Sequence, residues 1–297
     1  MKVNNKIQGI KMKDYRFNNN TQLDELYNQG IFDHSWKIYY SGLRHFIPKY
    51  YGNSNIDKQT ERFQVRLQNL LNIVKDPQFT YEKYAIIWND QVKSKEFIEA
   101  RQKQYGWVRN VSYLDLKIGM DCVLKSLDSP EYQEFKDIDL NTTTHLYGFR
   151  VTGYCIFQDN SVTDYLCEDF SKTRTYDQVK HIFTQCLTSP SGILVSQKLI
   201  KQLIDKIQCL KQFLENQSKA VIKGSSLFFT FARDYFDNFQ DYESQLQIVD
   251  VHLIDMCHMD IIADEKERDW GFIKGLEETI LLLENLQQQS NPNKIKV

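Results

Sequence analysis

Asp115 and Lys117 stand two residues apart inside an otherwise apolar run, Tyr113-Leu114-Asp115-Leu116-Lys117-Ile118-Gly119. Burying two charges among apolar side chains costs several kcal/mol unless each finds a partner. If the run is a β-strand, residues i and i+2 point to one face, roughly 6–7 Å apart along it. A carboxylate and an ammonium so placed can bracket a reacting hydroxyl and a transferring phosphoryl group: the first accepts a proton, the second offsets charge on the phosphoryl oxygens. Two other strand-like stretches hold polar groups where a core strand would not: Ser225 and Ser226 after Gly224, and Asp255 after Leu253-Ile254. A carboxylate at the end of an apolar strand is positioned to hold Mg²⁺ between phosphates. The bland alternative is that Asp115 and Lys117 form a surface ion pair worth under about 1 kcal/mol.

The elements that must position these groups follow from hydrophobic periodicity. Residues 112–119, 146–157, 221–236 and 247–260 alternate like strands, and 81–90 reads as a buried strand ending in polar residues. Residues 171–187, 195–217 and 271–287 have helical spacing; in the second, Leu199, Leu203, Ile207, Leu210 and Leu214 form one stripe. Residues 32–52 predict a helix running into an aromatic loop near Pro48, 61–74 fits helix or strand, and 124–145 reads as polar connecting sequence with at most one helical turn. Strands and helices are mixed, with the helices concentrated in the second half, which predicts an α+β fold.

Bulk composition narrows the function classes. The 297 residues include 18 Phe and 17 Tyr, ample for a folded core. Net charge is −2, from 37 basic and 39 acidic residues, so nothing global favours nucleic acid or an acidic membrane surface. The six cysteines are scattered without a CxxC pair, as expected in a reducing compartment. The start is polar rather than a signal core, and no run reaches the roughly 18 apolar residues of a membrane helix. The expectation is a soluble monomer, cytoplasmic and/or nuclear, without a nucleic-acid or membrane partner. His252 and His258 flank Asp255, but three residues along a strand turns the carboxylate away from both, an odd arrangement for zinc.

Taken together, these segments resemble the inositol polyphosphate kinase family, which includes hexakisphosphate kinases, multikinases and trisphosphate 3-kinases. The family's P-x-x-x-D-x-K-x-G motif is matched by residues 111–119, with Val111 in place of proline. Its G-F-R-x-x-G strand is matched by Gly148-Phe149-Arg150 and Gly153, and its S-S-L-L strand by Ser225-Ser226-Leu227-Phe228. I-D-F-A-H corresponds to Ile254-Asp255-Met256-Cys257-His258, and the closing D-x-G-x-x-x-G-L helix to Asp269, Gly271, Gly275 and Leu276. Residues 46–52 look like its F-x-P-x-Y-x-G. All occur in the family's order, over roughly residues 32–285.

The resemblance implies a two-lobed kinase-like fold of antiparallel sheets with packed helices, an N-terminal ATP-gripping lobe over 1–90 and a catalytic, inositol-binding lobe over 91–297. It implies an ATP- and Mg²⁺-dependent kinase acting on a soluble inositol polyphosphate, or else a kinase-like binding or scaffold protein that has lost turnover. Asp115 would be the base, Lys117 would contact the transferring phosphoryl, Asp255 would ligate Mg²⁺, and Ser226 would lie close by. Asp90 matches the hinge acid that binds the ribose, with Asn89 beside the adenine edge. The ATP-gripping lysine has no match at the family spacing; Lys13 and Lys11 are the candidates if the intervening loop is longer. Residues 91–107 form an insertion after the hinge, and Asp121 stands where many relatives have arginine.

The 28 residues between Gly119 and Gly148 are similar in length to the short connection of hexakisphosphate kinases and multikinases. They hold only Lys125 and Lys136 against six acids, whereas each substrate phosphate carries about −1.5 to −2. Lysines 180, 198, 201, 206, 211, 219 and 223 are the candidates for a basic wall from the other side.

Overall fold

The computed structural model describes residues 42–57, 62–67, 70, 111–122, 131–158, 161–167, 173–217, 220–237, 247–256, 258–261 and 267–290. Its centre is a five-stranded antiparallel sheet. The strands are β3 (Val111–Ile118), β4 (Phe149–Gln158), β5 (Ser161–Cys167), β7 (Ser226–Ala232) and β8 (Val249–Ile254), in the spatial order β5-β4-β3-β7-β8. The strand bearing Asp115 and Lys117 is therefore the central one. Two smaller antiparallel pairs join β1 (Tyr50–Asp57) to β2 (Arg62–Leu67), and β6 (Ala220–Lys223) to β9 (His258–Ile261).

Alternation sorts the two faces of the sheet. Leu114, Leu116 and Ile118 on β3 are buried, as are Phe229 and Leu227 opposite the first two, Phe231 opposite Ser112, and Val251 and Leu253 beyond. On this face lie helices α3 (Tyr176–Cys186), α4 (Gln197–Gln217) and α5 (Trp270–Gln289), whose apolar stripes share one core cluster with it. Phe183 of α3 meets Phe229 edge-on at 5.2 Å. Asp115 and Lys117 fall on the other face by the two-residue period.

Local sequence explains the helix ends. Thr175 and Gln178 make a reciprocal capping box at the start of α3. Asp269 caps α5 by accepting from the Phe272 amide at 3.0 Å, and its second oxygen accepts from Ile222 of β6 at 2.7 Å. Gly275 lets α5 approach the turn before β4, where a Cβ would run into the Gly148 carbonyl, and Gly271 packs against Met120 after β3. Gly148 itself has φ +66 and ends a short helix, the left-handed position that favours glycine.

Several expectations are corrected. Residues 124–145, read as connecting sequence, contain helix α1 (Tyr132–Leu140), followed by the one-turn α2 (Thr144–Tyr147). The alternating run 221–236 is not one strand but β6 and β7, in different sheets, broken at Gly224. The run 247–260 likewise divides into β8 and β9, with Asp255 beyond the end of β8 rather than within a strand. At the second break Ile254, Met256 and the polar residues between and after them keep the alternation, so periodicity alone conceals that change of sheet, whereas Gly224-Ser225-Ser226 interrupts the first run. The ambiguous 61–74 is a strand over Arg62–Leu67. The predicted strand 81–90, the insertion 91–107 and the lobe boundary at 90/91 lie outside the described residues. Among the described residues, no helix is long and apolar enough to cross a membrane.

Candidate active site

Register fixes the geometry. Lys117 pairs with Ser226 across β3 and β7, and Ser226 pairs with Ile254 across β7 and β8. Directly opposed residues share a face, so Lys117, Ser226 and Ile254 form a row spanning two strand spacings, roughly 10 Å. Asp255 follows Ile254 at the end of that row. Asp115 lies on the same face two residues back, opposite Phe228, whose ring stacks on Tyr113 at 5.4 Å. Asp115, Lys117 and Ser226 thus share one face of the sheet, and Asp255 follows the residue that ends their row.

The connection between β6 and β7 ties them together. Gly224 has φ +66, and its carbonyl accepts from Lys117 Nζ at 2.7 Å. An ammonium has three protons, so this bond locates the nitrogen and leaves two to donate elsewhere. Ser225, fully buried, continues the ladder by accepting from the Ile118 amide at 3.0 Å, and its hydroxyl donates to the Asp255 carbonyl at 3.0 Å. Asp255 has φ +59, alone among the described non-glycine residues in the left-handed region. Its side chain is exposed, whereas Asp115 Oδ1 and Ser226 Oγ are buried with no hydrogen-bond partner among the described residues. Buried polar atoms without partners are uncommon, and a bound ion, water or ligand is one way to satisfy them.

On its other side, β3 is held by a bulge in β4. Asp115 pairs with Gly153 but Leu116 with Val151, which leaves Thr152 as the extra residue; its hydroxyl donates to the Asp115 carbonyl at 3.3 Å. Bulges beside a site re-aim the neighbouring side chains. Arg150, opposite Lys117, is nearly buried and forms an ion pair with Asp139 of α1; it also donates to Thr144 Oγ1 at 3.0 Å. The second Asp139 oxygen accepts from the Cys122 amide at 2.9 Å, which anchors the segment leaving β3. Burial pushes the Cys122 thiol up to about 11, so it stays neutral.

The remaining expectations divide. Asp90, Asn89, Lys13 and Lys11 lie outside the described residues. Arg150 makes the structural ion pair described above. Of the lysines expected as a basic wall, Lys201 pairs with Asp205, Lys206 with Asp250, and Lys211 with Glu215 and Glu277, while Lys219 lies outside the described residues. Asp121 is met by Lys136 at 3.7 Å. His258 begins β9 opposite Lys223, in a different sheet from His252. Sequence reasoning assigned no role to Gly224, Ser225 or Asp139. For the first two, a glycine followed by two serines between apolar runs was the available signal; for Asp139 there was none beyond its charge.

The donors fit a hard divalent cation. The exposed Asp255 carboxylate and the unpartnered oxygens nearby are oxygen ligands, and among the described residues no cluster of three or more His, Cys, Asp or Glu side chains offers an all-protein cage. Mg²⁺ and its close analogues are commonly held this way, by one or two carboxylates with phosphate oxygens completing the shell.

Comparison with known proteins agrees with this architecture. A family model described as inositol polyphosphate kinase matches residues 106–284. The structure is similar to that of inositol phosphate multikinase Ipk2 from S. cerevisiae in complex with ADP and Mn²⁺, with TM-score 0.57 and 17% identity over 82% of this chain and 89% of that one. It is also similar to an inositol phosphate multikinase from a study of its structure and engineering, with TM-score 0.53 and 17% identity over 86% of this chain and all of that one. No curated protein sequence matches the chain. At this identity the structural likeness shows the fold, here a mixed helix and antiparallel-sheet kinase fold.

Proposed function

The chain belongs to the inositol polyphosphate kinase family, and from that premise we propose that it transfers the γ-phosphoryl group of ATP to a hydroxyl of a soluble inositol polyphosphate, in the manner of a hexakisphosphate kinase or multikinase. The observation that supports this most directly is the row Lys117–Ser226–Ile254 ending at Asp255, with Asp115 on the same face. Asp115 accepts the proton of the attacking hydroxyl, its Oδ1 lacking a protein partner among the described residues. Lys117, located by Gly224, offers its remaining protons to the phosphoryl oxygens as charge shifts toward them. Asp255 and the nearby oxygen donors would hold Mg²⁺, which when bound supplies positive charge between phosphates. Ser226 lies in the row between Lys117 and Ile254, close to the nucleotide in this reading. In this reading Asp90 binds the ribose, Asn89 lies beside the adenine edge, and Lys13 grips the phosphates from a lobe spanning 1–90.

The test is purified protein with Mg·ATP and a panel of inositol phosphates from tris- to hexakisphosphate. Turnover of at least one is expected, with kcat lowered about 10²–10³-fold in Lys117→Ala while its unfolding midpoint stays near that of wild type. A folded wild-type protein that turns over none of the panel would overturn the enzyme assignment and leave a binding or scaffold role.

A further inference from the structure

The connection between β6 and β7 holds Lys117 through one residue and Asp255 through the next. Gly224 takes the lysine side chain by its carbonyl; Ser225 takes the aspartate by its main chain. Asp255 follows the last residue of β8, where the ladder no longer fixes the backbone, and it has φ +59, a region uncommon for L-residues that Asp tolerates better than most. A residue persists there only when its surroundings over-determine it. In this conformation its carbonyl meets the Ser225 hydroxyl, and Ser225 is itself anchored: it has no exposed surface, and its own carbonyl is held by the Ile118 amide.

We propose that Ser225 is a positioning residue for the metal: by donating to the Asp255 carbonyl, it holds that backbone in the left-handed region and so aims the carboxylate at the cation. The inference rests on the assignment of Asp255 as metal ligand. Ser225 touches neither cation nor nucleotide in this scheme; it acts through Asp255. The neighbouring Ser226 has a different part, since its hydroxyl has no partner among the described residues and it lies in the row with Lys117. Placing both holds on adjacent residues of one connection couples the position of the ammonium to that of the carboxylate.

The experiment titrates Mn²⁺ into the full chain at saturating ADP and follows free Mn²⁺ by its electron paramagnetic resonance signal, which requires no turnover. Wild type should take up Mn²⁺ in an ADP-dependent way. Ser225→Ala should weaken that uptake about 10-fold, the lower end of the range for residues that orient a ligand, with its unliganded thermal midpoint little changed. In an Asp255→Asn background, adding Ser225→Ala should change uptake less than about twofold, because two groups acting through one interaction are not additive. If Ser225→Ala does not fold, Ser225→Cys keeps the volume with a weak donor and should show the same loss. Wild-type protein that takes up Mn²⁺ equally well with Ser225→Ala, or an undiminished loss in the Asp255→Asn background, would overturn the positioning role alone. Wild-type protein that takes up no Mn²⁺ with ADP would overturn the assignment of Asp255, and this inference with it.

Discussion

At the scale of single residues, burial decides whether a group works or only packs. His252 lies opposite Phe228 on β8, 7% exposed, with its Nδ1 3.5 Å from Asp250. The adjacent carboxylate favours the imidazolium, but desolvation outweighs it and Lys206 adds repulsion, so the pKa falls from 6.5 to about 4. The folded chain therefore keeps His252 neutral where the unfolded chain binds a proton. Stability from this residue is fully present above pH 6.5 and declines as pH falls from 6.5 toward 4, by on the order of 3 kcal/mol across the window. Denaturant unfolding at a series of pH values should show that decline reduced in His252→Gln; equal slopes in the two proteins would refute it. Asp115, Lys117 and Asp255 were legible in the sequence because charges in apolar strands are conspicuous. Ser225 was not, since its role depends on a carbonyl thirty residues away.

At the scale of elements, glycines set how closely helix and sheet approach. Alanine in place of glycine inside a helix ordinarily gains up to about 1 kcal/mol. At Gly275 the added Cβ would run into the Gly148 carbonyl and lie 2.8 Å from Ile118 Cγ2, both fixed parts of the core. That carbonyl also accepts from the Gly119 amide at 2.8 Å, at the end of the strand that carries Lys117. Overpacking of this kind costs about 1–3 kcal/mol, so the clash wins over propensity and Gly275→Ala should be destabilised in equilibrium denaturation. A neutral or stabilised variant would show that α5 can move away. The long helices α3, α4 and α5 were readable from their stripes to within a few residues at each end. Helix α1 was not: its sequence YQEFKDIDL is mostly polar, and what buries Asp139 is the distant Arg150.

At the scale of the whole molecule, the described helices and sheet share one core, from Leu43 to Leu286. Lys201, Lys206 and Lys211 of α4 are engaged with carboxylates on α4, β8 and α5. Lys201→Gln and Lys211→Gln should accordingly leave KM for the inositol phosphate within about twofold in steady-state assays, as expected for local ion pairs; a tenfold rise in either would place α4 at the substrate. The sequence by itself determined the family, the α+β class and the four polar residues of the candidate site, because residue type and strand period are local properties of the chain. Only the tertiary structure decided which strands are neighbours, that two alternating runs each divide between sheets, that the α4 lysines are engaged, and that one glycine-serine connection holds both Lys117 and Asp255. Those are matters of pairing between distant segments, and hydrophobic periodicity records which face a residue takes without recording what it faces.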